Sequence, residues 1–262
     1  MAAATGPRPG GEVAAVAAAD GSASDDGAPA DPLAADALPG DAVVVGVVAA
    51  LARYPLRSAR GEELERAHVT VGGLAGDRGH VLVDGDGRVL RGRDAPALAG
   101  LVAALEGDRL VVRDADGLRL EAEGLAAATG VPGAGTARAD DHGAAPGGSA
   151  VAPVHLVSVG AEAGPGAEGC DPDPRANVVL DLGAGTDPGA GPETWTGEGE
   201  GRPGPGAERG WVGAVLAVGG ARLVVTRTPK RCLGVYADVL VAGEVAVGDV
   251  VRRLEGGAPT TA

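Results

Sequence analysis

The stretch TPKRCLGVY puts Cys232 directly after Lys230 and Arg231. Adjacent cations hold a thiol toward its thiolate, the form that binds a soft metal or attacks sulfur. A lone cysteine after a strand can equally be a buried, inert thiol. RYPLRS supplies Arg57 and Ser58, a forked cation and a hydroxyl after a proline bend. Such a pair can hold a phosphate or a polar heterocycle, or form a plain exposed loop. GGLAGDRGH carries Asp77 and Arg78 in a turn where the two charges could simply pair. Arg175 and Asn177 precede the NVVLD run, a cation and an amide that could face a ligand or end a strand.

Other chemistries lack their residues. There is no GxSxG, HExxH or CxxC, and the glycine-rich segments have neither a P-loop nor a strand–GxGxxG–helix context. His68, His80, His142 and His155 show no metal-ligand spacing and read as structural. Cys170 reads as an ordinary loop thiol, and two cysteines make no disulfide framework.

The elements that must position these residues are mostly strands. VVVGVVAAL from Ala42 onward is a β-branched run suited to a buried strand. HVTV (68–71) is a short strand ending at Gly72-Gly73. VLVD, GDG and RVLRGR form a hairpin. Asp94 has the look of a helix N-cap, with Pro96 in the first turn and Gly107 at the stop. Leu98, Leu101, Val102 and Leu105 then share one helix face. RLVVRD, ADG and LRLEAE read as a second hairpin. VHLVSV and RANVVLD resume strand patterns. AVLAV and ARLVV flank a Gly219-Gly220 turn, and VYADVLV and EVAVGDVVRRL follow around Ala242-Gly243. The expected fold is mainly β, a barrel plus a β-rich N-terminal module with one helix. The expected division is a disordered tail over 1–40, a first domain over 41–125, a linker over 126–150 and a second domain over 151–254. A flexible insertion is expected over 183–210.

Composition sets further bounds. The 262 residues include 47 Gly, 19 Pro and no Phe, and aromatics are 2%. The core must therefore be Val, Leu and Ala, which suits strands and buries less area per residue. A net charge of −14 argues against a nucleic-acid footprint. No secretory leader and no apolar run near the length of a membrane span is evident, so a cytoplasmic, reducing location is expected.

In this order the fragments resemble the MOSC family. Residues 43–90 resemble its N-terminal β-barrel domain, with a "YPvKS" segment, a "GlxGDR" turn and an "lvD…G" hairpin. WVGAVLAVGGARLVVTRTPKRC and GVYADVLVAGEVAVGDVV resemble the MOSC domain itself. The resemblance spans about 42 to 252, and the members resembled include the C-terminal domain of molybdenum cofactor sulfurases and the amidoxime-reducing component with its bacterial relatives, which hold a pterin-based molybdenum cofactor. It implies that Cys232 gives its thiolate to molybdenum and is the catalytic residue. It implies that Arg57, at the usual lysine position, Ser58 and Arg78 contact the pterin or its phosphate. Arg175 and Asn177 match the arginine and asparagine of the "FRPN" segment, here DPRAN, and Ser158 matches a hydroxyl position. Glu193 and Trp195 faintly echo an acidic-Trp segment. The chain departs from the family after Cys232: Leu233 alone separates it from Gly234, where relatives have some tens of residues.

The implied activity is molybdenum-dependent reduction of small N-oxygenated, for example N-hydroxylated, substrates. No iron–sulfur cysteine cluster is present, so the electron donor is expected to be a separate protein. The alternatives are a sulfur carrier bearing a Cys232 persulfide and a cofactor-binding module without turnover. No pyridoxal phosphate, nucleic acid or membrane partner is expected.

Overall fold

The computed structural model describes residues 42–142, 154–161, 175–182, 204–229 and 233–254. The tail over 1–40, Cys170, Cys232 and the Glu193–Trp195 echo lie outside them. The chain runs through β1 (Ala42–Arg53), β2 (Glu62–Leu64), β3 (Arg66–Thr70), β4 (Gly73–Leu74), β5 (His80–Val83) and β6 (Val89–Leu90) to a 3-10 helix (Pro96–Gly100). β7 (Val102–Glu106), β8 (Arg109–Arg113), α1 (Ala122–Thr129) and β9 (Gly135–Arg138) follow. The remainder holds β10 (Val154–Ser158), β11 (Val178–Leu182), a 3-10 helix (Ala207–Trp211), β12 (Val215–Val218), β13 (Ala221–Arg227), β14 (Val235–Val241), β15 (Gly243–Ala246) and β16 (Val250–Leu254).

Seven strands close a barrel in the order β1, β11, β10, β14, β13, β12, β16 and back to β1. Only β10 and β11 pair in parallel. β13 shows the two-residue period directly, with Ala221, Leu223 and Val225 buried and the residues between them less so. Leu51, Leu156, Leu180, Leu216, Leu223 and Val251 meet in the barrel core. Each such side chain contributes about 1.5–3 kcal/mol on burial, so many medium-sized residues do the work of absent phenylalanines. β1 is shared along its length. Its first half pairs with β16, its middle with β11 and its end with β2, with register shifts near Gly46 and Val48. At Gly46 a Cβ would collide with the Asp181 carbonyl oxygen, so the crowded crossing requires glycine. The mainly β barrel expected from sequence is what the chain forms, although one barrel strand, β1, comes from the first block and the other six from after residue 153.

A second core packs Leu56, Leu82, Leu90, Leu98, Leu101 and Leu125 beside the barrel. The β5–β6 hairpin forms as expected. Its turn is built by Asp84, whose Oδ1 accepts from the backbone of Asp86 and Arg88. These bonds hold the carboxyl below its ordinary pKa. Asp114 repeats the device with Asp116 and Leu118.

Three local expectations are corrected. The helix expected from Asp94 to Gly107 is a 3-10 helix over Pro96–Gly100 followed by strand β7. Asp94 caps no helix; its Oδ2 accepts from the Arg91 N–H. Val102–Glu106 pairs with β8 instead, and Ala103 donates to the Arg60 carbonyl, so non-local pairing overrides the helical spacing. The hairpin expected between RLVVRD and LRLEAE keeps its turn, but its second arm is reduced to an isolated antiparallel bridge of Arg119 to Arg113, with the Leu120 N–H donating to the Val112 carbonyl. The segment over 126–142, expected as linker, holds the end of α1, then β9 and a 3-10 turn. The single α-helix among the described residues is therefore α1, closed by Gly130 in a left-handed conformation at φ 69°. No helix among the described residues is long and apolar enough to cross a membrane.

Candidate functional site

Strand register decides which candidates meet. Leu51 of β1 is level with Val178 of β11, which is level with Leu156 of β10 and so with Val235 of β14. Tyr236 then pairs with both His155 and Arg227. These levels trace one oblique line across adjacent strands, the rim: the end of β1 and the starts of β10 and β11 lie at one end of it, and, because β14 runs antiparallel to β10, the start of β14 and the end of β13 lie beyond His155 and Tyr236 toward the other. Arg53–Ser58, His155, Arg175–Asn177, Arg227 and Leu233–Gly234 stand along it. Cys232 is outside the described residues, but Leu233 brings the chain back to this rim. At Gly234, with φ 77°, a Cβ would strike the Leu156 carbonyl, so the start of β14 needs glycine.

The turn carrying Arg78 docks on the rim through the backbone. Arg78 N–H donates to the Tyr54 carbonyl at 2.7 Å, and Tyr54 N–H donates to Asp77 Oδ1 at 2.8 Å. The Arg78 guanidinium pairs with Asp77, donates to the Arg175 carbonyl at 3.1 Å and to Asn177 Oδ1 at 3.4 Å, and lies 5.1 Å from the Tyr54 ring centre. Arg57 N–H donates to the His80 carbonyl, and Ser58 Oγ accepts from the Gly92 N–H at 3.0 Å. Burial, then the guanidiniums of Arg78 and Arg91, hold the Arg57 pKa below the ordinary arginine value. Three arginines are thus gathered with Asp77 as the carboxylate bonded to one of them, in a chain whose net charge is strongly negative.

Backbone conformation marks the same residues. The non-glycine residues with positive φ among those described are Ser58 at 69°, Arg78 at 51° and Arg175 at 45°. Each costs about 1–3 kcal/mol and persists only where the surroundings impose it. All three were singled out as candidates from sequence.

Asn177 and Ser158 behave differently. Asn177 is 1% exposed. Its Oδ1 accepts from the His155 N–H and from Arg78, and its Nδ2 donates to the Ala52 carbonyl. It ties three barrel strands to the Arg78 turn. Ser158 lies two residues past Leu156 on β10, on the side toward Leu233–Gly234. Its hydroxyl donates to Glu208 Oε2 at 2.7 Å and accepts from the Gly206 N–H at 2.6 Å. Glu208 is fully buried there, beside Trp211.

Sequence reading missed several members of the rim. Arg91 joins Arg57 only because the hairpin folds Gly92 onto Ser58, which no local spacing reveals. Tyr54 was legible as the aromatic of RYPLRS but was given no role. His155 lacks ligand spacing because it is not spaced for a metal. Its Nε2 bonds the Leu233 carbonyl at 2.8 Å, and since a carbonyl only accepts, Nε2 carries the hydrogen. Tyr236 lies against the His155 ring, centres 4.8 Å apart, and under the Arg227 guanidinium at 5.5 Å.

Comparison with known proteins gives one family. Residues 45–151 match the family described as the MOSC N-terminal beta barrel domain. No curated protein matches the chain significantly. The matched segment contains most of β1, the Arg57–Ser58 turn, the Arg78 turn and Arg91, which are the cationic part of the rim. Over residues 45–151, fewer than half of the chain's 262, the protein is therefore similar to the MOSC N-terminal beta barrel domain, which supports a MOSC-type protein.

Proposed function

We propose that this rim holds a molybdenum cofactor and that the protein reduces small N-oxygenated substrates with electrons from a separate donor protein. The observation that carries the reading is the gathering of Arg57, Arg78 and Arg91. Three guanidiniums brought together raise the energy of the protein alone, and an anion placed among them offsets it. A cofactor with a phosphate and a polar pterin fits this donor set: forked cations and the Ser58 hydroxyl for the phosphate, and the Arg175 turn for the heterocycle. The left-handed backbone at Ser58, Arg78 and Arg175 supports the same assignment, since strain collects where function requires it.

The chain's own residues divide the work. Arg57, Ser58, Arg78 and Arg175 bind and orient the group. Asn177 is a positioning residue that aims Arg78 and fixes the start of β10. His155 holds the Leu233 carbonyl and so sets where the chain leaves Cys232. Cys232 supplies the soft thiolate. Bound there, the cofactor supplies oxygen-atom transfer and the protein supplies binding and orientation.

The test is metal analysis of the full chain coexpressed with cofactor biosynthesis, beside Cys232→Ser and Arg57→Gln. Molybdenum near one per chain in the parent, lost in Cys232→Ser and reduced at least tenfold in Arg57→Gln, is the expected result. No molybdenum in the parent overturns the reading. Mass spectrometry after incubation with a cysteine desulfurase then decides the sulfur-carrier alternative, by one added sulfur on Cys232.

A further inference from the structure

Arg227 ends β13 on the rim, five residues before Cys232, and belongs to neither the arginine cluster nor the assigned contacts. Its Nε and Nη2 are buried and have no hydrogen-bond partner among the described residues. These two nitrogens form the side-on edge of the guanidinium, where two N–H bonds run parallel and match a pair of oxygens on one anion. The group is also held in place. The guanidinium lies over the Tyr236 ring at 5.5 Å, that ring rests against His155, and His155 bonds the carbonyl of Leu233, the residue after Cys232. The Thr226 hydroxyl donates to the Tyr236 carbonyl at 3.3 Å and fixes the neighbouring register. Leaving buried donors unmatched costs about 1–3 kcal/mol, more for a charged group, so an ordered but unanswered fork calls for an absent acceptor.

We propose that the side-on edge of Arg227 is a carboxylate-binding site beside the Cys232 segment, which makes the substrate a small molecule bearing a carboxylate. This substrate assignment rests on the reading that the reaction occurs at Cys232; the binding site itself does not. A carboxylate is favoured over a phosphate by charge. One guanidinium balances one negative charge, whereas the dianion belongs with Arg57, Arg78 and Arg91. Tyr236 keeps the fork from swinging, so the acceptor must come to it.

The experiment titrates benzoate, and separately inorganic phosphate, into the full chain without metal loading, by calorimetry. The variants are Arg227→Gln, Arg227→Lys and Arg57→Gln. Benzoate affinity should fall at least tenfold in Arg227→Gln, recover only in part in Arg227→Lys, which restores the charge without the fork, and stay unchanged in Arg57→Gln. Because the buried edge is unanswered among the described residues, Arg227→Met should unfold at no lower urea concentration than the parent. Benzoate binding that ignores Arg227, or phosphate that outcompetes benzoate in an Arg227-dependent way, overturns the proposal. So does a marked loss of stability in Arg227→Met, which would make the arginine structural. In loaded protein, the carboxyl-bearing benzamidoxime should show a lower KM than benzamidoxime, and Arg227→Gln should erase that difference with kcat for benzamidoxime retained. Benzoate bound through Arg227 in a chain that takes up no molybdenum supports the site and removes only the redox reading.

Discussion

Two polar regions of this barrel are built on opposite terms. Around Asn177 and around the Ser158–Glu208 pair, buried polar atoms are answered by protein groups. Around Arg57, Arg78 and Arg91, cations are brought together instead, and Arg57 is held below its ordinary pKa by burial and by the other two. The first kind of region sets strand order and register, because a buried donor or acceptor without a partner is expensive. On the function proposed above, the second kind disfavours the protein alone and an anion bound there would offset it. The molecule joins them directly, since Asn177 Oδ1 accepts from Arg78 at 3.4 Å and so connects scaffold to cluster.

The contrast predicts effects of different size on substitution. Asn177→Leu leaves the His155 N–H and the Ala52 carbonyl without their side-chain partner and releases Arg78. A loss of about 2–4 kcal/mol is expected, read as a lower urea midpoint at unchanged slope. Arg57→Met should cost clearly less than Asn177→Leu, because a crowded cation is removed and the backbone bond to His80 remains. The parent's midpoint should also rise with added salt, which screens the cluster, and rise less in Arg57→Met. If Arg57→Met were as destabilising as Asn177→Leu, the cluster would be scaffold and the contrast would fail.

Legibility in the sequence followed the range of the interactions. The barrel strands were readable because alternation and Gly-centred turns are local, as at Val215–Val218 and Ala221–Arg227 around Gly219-Gly220. The stretch 94–107 misled because Leu98, Leu101, Val102 and Leu105 satisfy a helical period. The deciding partners, Arg60 and β8, lie elsewhere in the chain. α1 was passed over for the converse reason: it is short, its N-cap Glu121 makes no side-chain cap, and its best sign was Gly130. In the site, Arg57, Ser58, Arg78 and Arg175 were visible as residue types beside turns and through the family's motifs. Arg91, Arg227 and Tyr236 were not, because only barrel closure brings residues so distant in sequence to one rim. Glu208 was hidden for a related reason. A carboxylate in ERGW reads as surface until the Ser158 N–H and hydroxyl are seen to donate to it.

The smallest predicted effect concerns His80, which underlies the cluster. Its carbonyl accepts the Arg57 N–H, and its Nδ1 is buried without a partner among the described residues. Burial first, and then Arg138 across the β5–β9 pair, hold its pKa below the ordinary imidazole value, while the Pro55 carbonyl acts the other way. The unfolded chain therefore takes up the proton more readily than the folded one. The stability tied to neutral His80 is complete above the unfolded imidazole pKa of about 6.5 and is lost as pH falls below it toward the folded value. Protonation would also add a positive charge beside the turn that already crowds Arg57 with Arg78 and Arg91. Thermal unfolding between about pH 7 and pH 5 should thus show a midpoint that falls with pH in the parent, by about 1 kcal/mol or less in stability, and falls less in His80→Gln. Equal slopes in the two proteins would mean that the cluster tolerates another neighbouring cation, which would weaken the case that it is poised for an anion.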